Sequence, residues 1–586
     1  MFGKVLVANR GEIAIRIMRT LREMGIASIA VFSEADREAP FVRYADEAYF
    51  LGPAPASESY LNVPALLSIA RQSSADAMHP GYGFLAENGD FAEAVEEAGM
   101  VFIGPTPHAI RLMGDKVRAR QAVVKLGVPV VPGTDGAVES EEEAMSFADE
   151  HGYPVAVKAA GGGGGRGIQV VDSAGDLPAA IDRARRDAEK YFKSSNVYLE
   201  RFFRNPRHVE IQVLADVHGN IVHLGERDCS VQRRHQKLIE EAPAPGLDVR
   251  SRAGMGEAAI RAARAAGYTS AGTVEFLVTQ DGSYYFLEMN TRIQVEHPVT
   301  EAVAGVDLIK EMILIAAGEQ MTVHESLLHP RGHAIEMRIN AEDARNDFRP
   351  TPTRIDAYRE PGGIGVRVDS GVEQGFTIPQ NYDSLIAKLI VWAPDREAAI
   401  RRALRALSEF QINGPSTTIP VVSAILRQSS FCEGKVSTNW LGDVLPDLLS
   451  TISPADVLAD VASEDEAPSQ QREVRTYDVE VNNRYFAVRV AAPAEDVRPA
   501  RTVTRPRKAG LDRMRNGPAL QSPMHGTVIA IAVQAGDSVS EGQRVVVVEA
   551  MKMENEIHAH TGGTVQTVAV EVGDTVDDGQ VLMEIT

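Results

Sequence analysis

Cysteine is nearly missing from this 586-residue chain: Cys229 and Cys432 stand alone and far apart. Two thiols build neither a disulfide framework nor a thiolate metal site, so both are read as reduced. Positive charge is in deficit as well. A formal net charge of −21 and a pI near 5.2 exclude a general affinity for nucleic acid, which needs a basic face to displace counterions. No apolar stretch approaches the roughly 20 residues that cross a bilayer. The opening run Met1 to Ala8 meets Arg10 and Glu12 too soon for a signal-peptide core and reads as a first buried strand. The chain is therefore expected in the cytoplasm, without membrane or nucleic-acid partners. Its 44% hydrophobic and 24% charged residues are a globular balance, and its length calls for several domains.

What is present begins as α/β. A strand from Gly3, a polar turn at Asn9-Arg10-Gly11-Glu12 and a helix with Ile13, Ile17, Leu21 and Met24 on one side lead to a second strand, Ser28 to Phe32. His79-Pro80-Gly81-Tyr82-Gly83-Phe84 reads as a loop before a helix at Phe91 to Ala98. The strand Pro154 to Lys158 enters Gly161-Gly162-Gly163-Gly164-Gly165-Arg166-Gly167, and another apolar run, Ile168 to Val171, follows. A dinucleotide fingerprint requires a helix there. A strand-loop-strand lid over phosphates fits better, with glycine amides free to close on the oxygens and Lys158 as a cation.

Gly272 to Asn290 holds two β-type runs joined at Asp281-Gly282, a hairpin signal. A two-residue turn pairs Gln280 with Ser283 and so sets Glu275 opposite Glu288, with Leu277 and Phe286 expected on the same face. Facing carboxylates repel; a hard divalent cation, Mg²⁺ or Mn²⁺, between them removes the objection. Asn290, Arg292, Gln294 and Glu296 continue at period two, so an extended chain projects them to one side. Arg292 and Gln294 could hold a planar anion and Glu296 could serve as its base. His208, Glu210 and Gln212 alternate with Val209, Ile211 and Val213 as on a half-buried strand, and Glu336, Arg338 and Asn340 alternate likewise. His235 and Lys237 fall in the basic, loop-like run Gln232 to Lys237, most simply a solvated surface.

Polar stretches at 463–471 and 499–518 read as linker around a hairpin signal at Asn482-Asn483-Arg484. The end of the chain repeats itself: Gly526-Thr527-Val528 recurs as Gly563-Thr564-Val565 and Gly536-Asp537 as Gly573-Asp574, at an offset of 37 residues. Two strand-turn halves of a small flattened barrel are implied. Near their midpoint Lys552 stands between Met551 and Met553 where a hairpin tip should present it.

Ala550-Met551-Lys552-Met553 in a duplicated β unit resembles the biotinyl domain of biotin-dependent carboxylases; lipoyl domains share the fold without this methionine context. Residues 1 to about 450 resemble biotin carboxylase of the ATP-grasp superfamily, through Asn9 to Ala14, His79 to Leu85, the glycine loop, Pro206 to Glu210 and Glu288 to His297. The fold class implied is α/β and α+β, an ATP-grasp enzyme followed by an all-β carrier. The divisions expected are 1–115 (N-terminal α/β), 116–330 (ATP-grasp, lid about 131–205), 331–450 (C-terminal), 451–520 (linker) and 521–586 (carrier). The resemblance implies biotin on Lys552 and ATP held by Lys116, Lys158, Gly163, Gly164, Gly165, Glu200, His208 and His235. It implies metal on Glu275, Glu288 and Asn290, and bicarbonate on Arg292, Gln294 and Val295. Glu296 would be the base, Arg338 would stabilise the biotin enolate, and Lys237 would steady carboxyphosphate. Two departures stand out: Arg201 where the family usually has Lys, which keeps a cation near the nucleotide, and Ser416-Thr417-Thr418 in place of Thr-Asn.

The roughly 70 residues between the two recognised regions are too few for a carboxyltransferase. A separate β subunit is therefore expected, in a hetero-oligomer whose carrier a biotin protein ligase modifies. An acyl-CoA carboxylase α subunit fits this best; the corresponding subunit of a two-subunit pyruvate carboxylase comes next. A non-catalytic scaffold conflicts with the full set of charged residues, and a general ATP-grasp ligase leaves Lys552 unexplained.

Overall fold

The computed structural model describes residues 1–134, 136–138, 140–159, 168–192, 196–323, 330–452, 472–481, 484–493, 519–524, 526–550, 553–577 and 579–586. Two compact units divide the chain, Met1–Asp460 and Val461–Thr586.

In the first unit the opening apolar run becomes the strand Lys4–Val7 at the centre of a five-stranded parallel sheet, flanked by Ala27–Ser33 and Ala77–His79. Val5, Leu6 and Val7 are fully buried, because a parallel strand covered on both faces leaves no position for a polar side chain. The helix Gly11–Glu23 buries Ile13, Ile17 and Leu21, and Met24 caps its end. The strands Val155–Ala159 and Ile168–Val171 pair antiparallel, so the glycine run does join strand to strand; Gly163, Gly164 and Gly165 lie outside the described residues.

The larger sheet positions the chemistry. Its strands are β1 (Arg207–Ala215), β2 (Ile221–Arg233), β3 (Gln236–Ala242), β4 (Ser270–Val278), β5 (Tyr284–Asn290), β6 (His333–Asn340), β7 (Val366–Ser370) and β8 (Leu385–Ala393). They lie in the order β5-β4-β1-β2-β3-β6-β8-β7, every neighbour antiparallel. The helix Val249–Ala265 lays Ala258, Ala259, Ala262 and Ala263 on one face, over Val209, Ile211, Val213, Val274 and Phe276. Alanine allows this close helix-on-sheet approach, and apolar burial of this kind stabilises by about 25 cal/mol per Å².

Three expectations are corrected here. The β4-β5 turn is one residue longer than expected, with Thr279 bonded to Ser283, and an extra residue on β5, Leu287, forms a bulge. The two irregularities cancel: Glu275 does face Glu288. The bulge turns Phe286 to the opposite face, where it pairs with Phe276 in the apolar layer, so it does not share the glutamates' side with Leu277. Second, the chain does not stay extended past Asn290; it bends at residues 291–292 and turns at 295–296 before the helix His297–Ala304. Third, the basic run from Gln232 is a tight hairpin rather than a loop. Only Arg234 and His235 occupy the turn, with φ of 47° and 66°, the left-handed pair that a mirror-type turn needs.

In the second unit Arg472–Val481 pairs with Arg484–Pro493. The barrel that follows is two four-stranded sheets. One runs Ala519–Gln521, Val581–Ile585, Gly563–Val568, Ser538–Val539; the other runs Met553–His558, Arg544–Ala550, Gly526–Ile531, Thr575–Val576. The offset of 37 residues maps each sheet onto the other strand by strand. The repeated glycines share a cause. A Cβ on Gly526 would meet the Glu549 carbonyl oxygen at 2.5 Å, and one on Gly563 would meet that of Thr586 at 2.6 Å; Glu549 and Thr586 are themselves related by the offset. Ala550 and Met553 are register partners, while Lys552 lies outside the described residues.

Candidate active site

On the face of the large sheet opposite the alanine helix, charged side chains converge out of solvent. Lys237, on β3 two residues past the turn, is half-buried rather than solvated. Its ammonium donates to Glu296 Oε1 at 2.6 Å, Glu210 Oε2 at 2.8 Å and Glu275 Oε1 at 3.2 Å. Three donors meet three carboxylates.

Glu296 sits in the turn before His297–Ala304, and its second oxygen accepts from Arg338 Nη2 at 2.9 Å. Arg338, on β6, also donates through Nε to Glu240 at 2.6 Å. Burial alone would raise the Glu296 carboxyl, but Lys237 and Arg338 prevail and hold it well below the usual carboxylate range. It is an ionised acceptor clamped between two cations. Burial also opposes the charge on Glu275, where Lys237 and His208 prevail and lower its pKa. His208 Nε2 stands 3.0 Å from Glu275 Oε2, and that carboxylate outweighs burial and raises the imidazole.

Arg227, fully buried on β2, organises the surroundings. Its guanidinium donates to Glu210 (2.5 Å), Gln212 (2.7 Å), Thr300 (2.9 Å), Thr273 (3.0 Å) and the side-chain oxygen of Gln294 (2.7 Å), so all five of its N–H groups are used. The Gln294 amide nitrogen then donates to Glu275 at 2.8 Å. Arg292 bonds Glu87 at 2.9 Å and the Asn290 side-chain oxygen at 2.8 Å. The Val295 carbonyl accepts from buried Lys388 at 3.0 Å. Bends, not an extended strand, bring Asn290, Gln294 and Glu296 together.

Glu275, Glu288 and Asn290 offer only oxygen among their acceptor atoms, the donor set of a hard divalent cation. Cations already attend both carboxylates: Lys237 and His208 at Glu275, and Lys116 at 3.5 Å from Glu288. The residues fit such an ion. Lys158 and Glu200 form an ion pair across adjacent strands. His235 is exposed at its turn. Arg201 donates through Nη1 to the carbonyls of Gly152 and Pro154. Thr418, at the second departure, accepts from the Asn340 amide and donates to the Arg338 carbonyl, stitching the strand that carries Arg338.

Sequence reasoning missed Arg227, Glu240, Lys388 and Glu87. The available signal for Lys388 was a charged residue inside an otherwise apolar, strand-like run, Leu385 to Val391; Arg227 carried none.

Family models match four successive stretches: the biotin carboxylase N-terminal domain over residues 1–110, the carbamoyl-phosphate synthase L chain ATP-binding domain over 115–324, the biotin carboxylase C-terminal domain over 336–443, and the biotin-requiring enzyme domain over 518–585. The biotin-dependent acyl-coenzyme A carboxylase alpha3 subunit of Mycobacterium leprae is 46% identical over 95% of this chain and 94% of its own length. The biotin carboxylase of a Nostoc species is 53% identical over 76% of this chain and 99% of its own, and a pyruvate carboxylase subunit of Methanothermobacter thermautotrophicus is 53% identical over 76% and 90%. Among solved structures, biotin carboxylase from Campylobacter jejuni aligns with a TM-score of 0.70 at 47% identity over 76% of this chain and 99% of its own. The biotin carboxylase domain of Hydrogenobacter thermophilus 2-oxoglutarate carboxylase, with MgADP and bicarbonate, aligns at 0.69 and 47% over 76% and 98%. Fold, charged face and full-length likeness converge: the chain belongs to the biotin-dependent carboxylases, as a biotin carboxylase fused to a biotin carrier domain.

Proposed function

We propose that this chain uses ATP and bicarbonate to carboxylate biotin attached to its own Lys552, and that a separate carboxyltransferase β subunit passes the carboxyl group to an acyl-CoA of the acetyl or propionyl kind. The observation that carries the catalytic part is Glu296 held between Lys237 and Arg338. Arg292, Gln294 and the backbone of Val295 orient the planar anion, and ionised Glu296 takes the bicarbonate proton. The oxygen so freed attacks the γ-phosphorus of ATP and ADP leaves. Lys237 moves its charge onto the carboxyphosphate formed, which frees the Glu296 oxygen that has taken the proton; the carboxyphosphate C–O bond then breaks to give CO₂ and inorganic phosphate, the base that can accept the ureido N–H proton. Arg338 keeps a fixed positive charge where the carboxyl group is received.

Lys116, Lys158, Gly163, Gly164, Gly165, Glu200, His208 and His235 hold ATP in this reading. Glu275, Glu288 and Asn290 would hold Mg²⁺ or Mn²⁺, which neutralises phosphate oxygens when bound. Biotin, once attached by a biotin protein ligase, supplies the ureido nitrogen that accepts the carboxyl group. The acyl-CoA assignment rests on the M. leprae relative, which matches through the carrier, whereas the match to the pyruvate carboxylase relative extends over 76% of the chain.

The test combines the biotinylated chain, the β subunit from the same source and radiolabelled bicarbonate, with acetyl-CoA, propionyl-CoA and pyruvate as competing acceptors. Label on a CoA ester, abolished by Lys552→Ala, is expected. Label on pyruvate alone would transfer the chain to the two-subunit pyruvate carboxylases. ATP hydrolysis indifferent to biotin, with no label fixed, would end the carboxylase reading.

A further inference from the structure

Beside the clamp on Glu296 lies a second pair of carboxyl groups. Glu240 on β3 and Glu336 on β6 are register partners, and neither has any exposed surface. Cβ atoms of such partners stand about 5 Å apart on the same face, which puts the two carboxyl groups within reach of one another and Glu336 in the field of Glu240. One Glu240 oxygen accepts from Arg338. Its other oxygen, and both oxygens of Glu336, have no hydrogen-bond partner among the described residues. A buried carboxylate without a donor is costly, and two of them together more so. A single proton between them supplies the missing donor.

The groups acting on Glu336 are Lys388 from β8, Glu240 from β3, Arg338 from its own strand and Glu296 from the turn before His297–Ala304. Burial and the two carboxylates outweigh the two cations, and Glu336 is pushed well above its ordinary value. Glu240, raised by burial and lowered by Arg338, is pushed up to about 7. Such a pair titrates as one system.

We propose that Glu336 is a positioning residue, held neutral and sharing its proton with Glu240, so that the buried pair carries one negative charge and Arg338 keeps its remaining charge for the reaction. Were Glu336 ionised, Glu240, Glu296 and Glu336 would all draw on Arg338, and the charge available to the reacting groups would fall. The role rests on the proposed assignment of Arg338.

Infrared spectroscopy of the full chain tests it without turnover. Wild-type protein at pH 8 is expected to show a carboxylic-acid C=O band that Glu336→Gln removes. Glutamine mimics the neutral acid, so E336Q should fold, keep turnover within about threefold of wild type at pH 7, and lose the part of the alkaline decline that comes from deprotonation of the pair. No acid band in the wild type overturns the proposal. So does an E336Q chain that keeps the band, that fails to fold, or whose pH profile matches the wild type. Failure of carboxylation with the band present would instead strike the functional reading and leave the shared proton standing.

Discussion

The two units treat a polar group in the interior in opposite ways. The large sheet of the first unit buries Glu210, Arg227, Glu240, Glu275 and Glu296, and with Lys237, Arg338 and Gln294 they form a connected network. The barrel of the second is filled with Val528, Val545, Val546, Val548, Val565, Val576 and Leu582, and Ser522 is its one buried polar residue among those described. Charges out of water are tolerated only when each finds a partner, and they are kept where chemistry needs them. A carrier has only to hold its shape. One unit is therefore built on electrostatic matching, the other on packing, and the two should fail under different insults.

Arg227→Leu should produce the largest separation. It strips five hydrogen bonds and leaves Glu210 and the Gln294 amide buried without it, a loss of about 3–5 kcal/mol. Calorimetry of the full chain should show the first unit melting earlier while the barrel transition stays in place; a shift of both together would mean that the contrast is not physical. Val548→Ala is the converse, removing buried methyl groups from the barrel at about 2 kcal/mol. It should lower only the barrel transition and leave ATP turnover with free biotin unchanged.

The smallest effect is graded with pH. Burial, with Arg16 nearby, pushes buried His79 down to about 3. A histidine whose folded pKa is depressed below its unfolded value contributes stability that is present above about 6.5 and is lost as pH falls from there toward 3. The first unit should lose about 1.4 kcal/mol per pH unit from this group below pH 6.5. His79→Asn, followed by urea unfolding at pH 7 and pH 5, should flatten that slope; an unchanged slope would assign it to the other groups of the unit, among them buried His297, which burial and Lys388 also push down.

How much of this was legible in the sequence follows the same division. The barrel was readable almost entirely, because a duplication of 37 residues and glycines at fixed spacing are local signals, and the structure returns them as two sheets exchanged by that offset. In the first unit, period two located β1, β4, β5 and β6 and even the facing glutamates. It described β1 and β6 as half-buried strands, yet the polar residues His208, Glu210, Gln212 and Glu336 are buried. What covers them comes from far along the chain: the turn at 295–296, Arg227 from β2, and Lys388 from β8. Arg227, in Gly225-Glu226-Arg227-Asp228, looked like any polar stretch, since no local pattern distinguishes a guanidinium with five buried partners from one in water. The bulge at Leu287 was equally silent. It reversed the placement of Phe286 while leaving the glutamate pair intact, because the longer turn compensated for it.

The bond from Arg227 to Gln294 reaches further than packing. Oxygen and nitrogen of a glutamine amide look alike in ordinary electron density, and their assignment is normally a choice. Here there is no choice: a guanidinium only donates and does not lose its charge, so the Gln294 oxygen must face Arg227 and its NH₂ must face the site. Whatever displaces Glu275 from that NH₂ has to be an acceptor. The polarity of one amide is thus fixed from behind, and what it turns toward the site is a donor, which an acceptor can meet and another donor cannot.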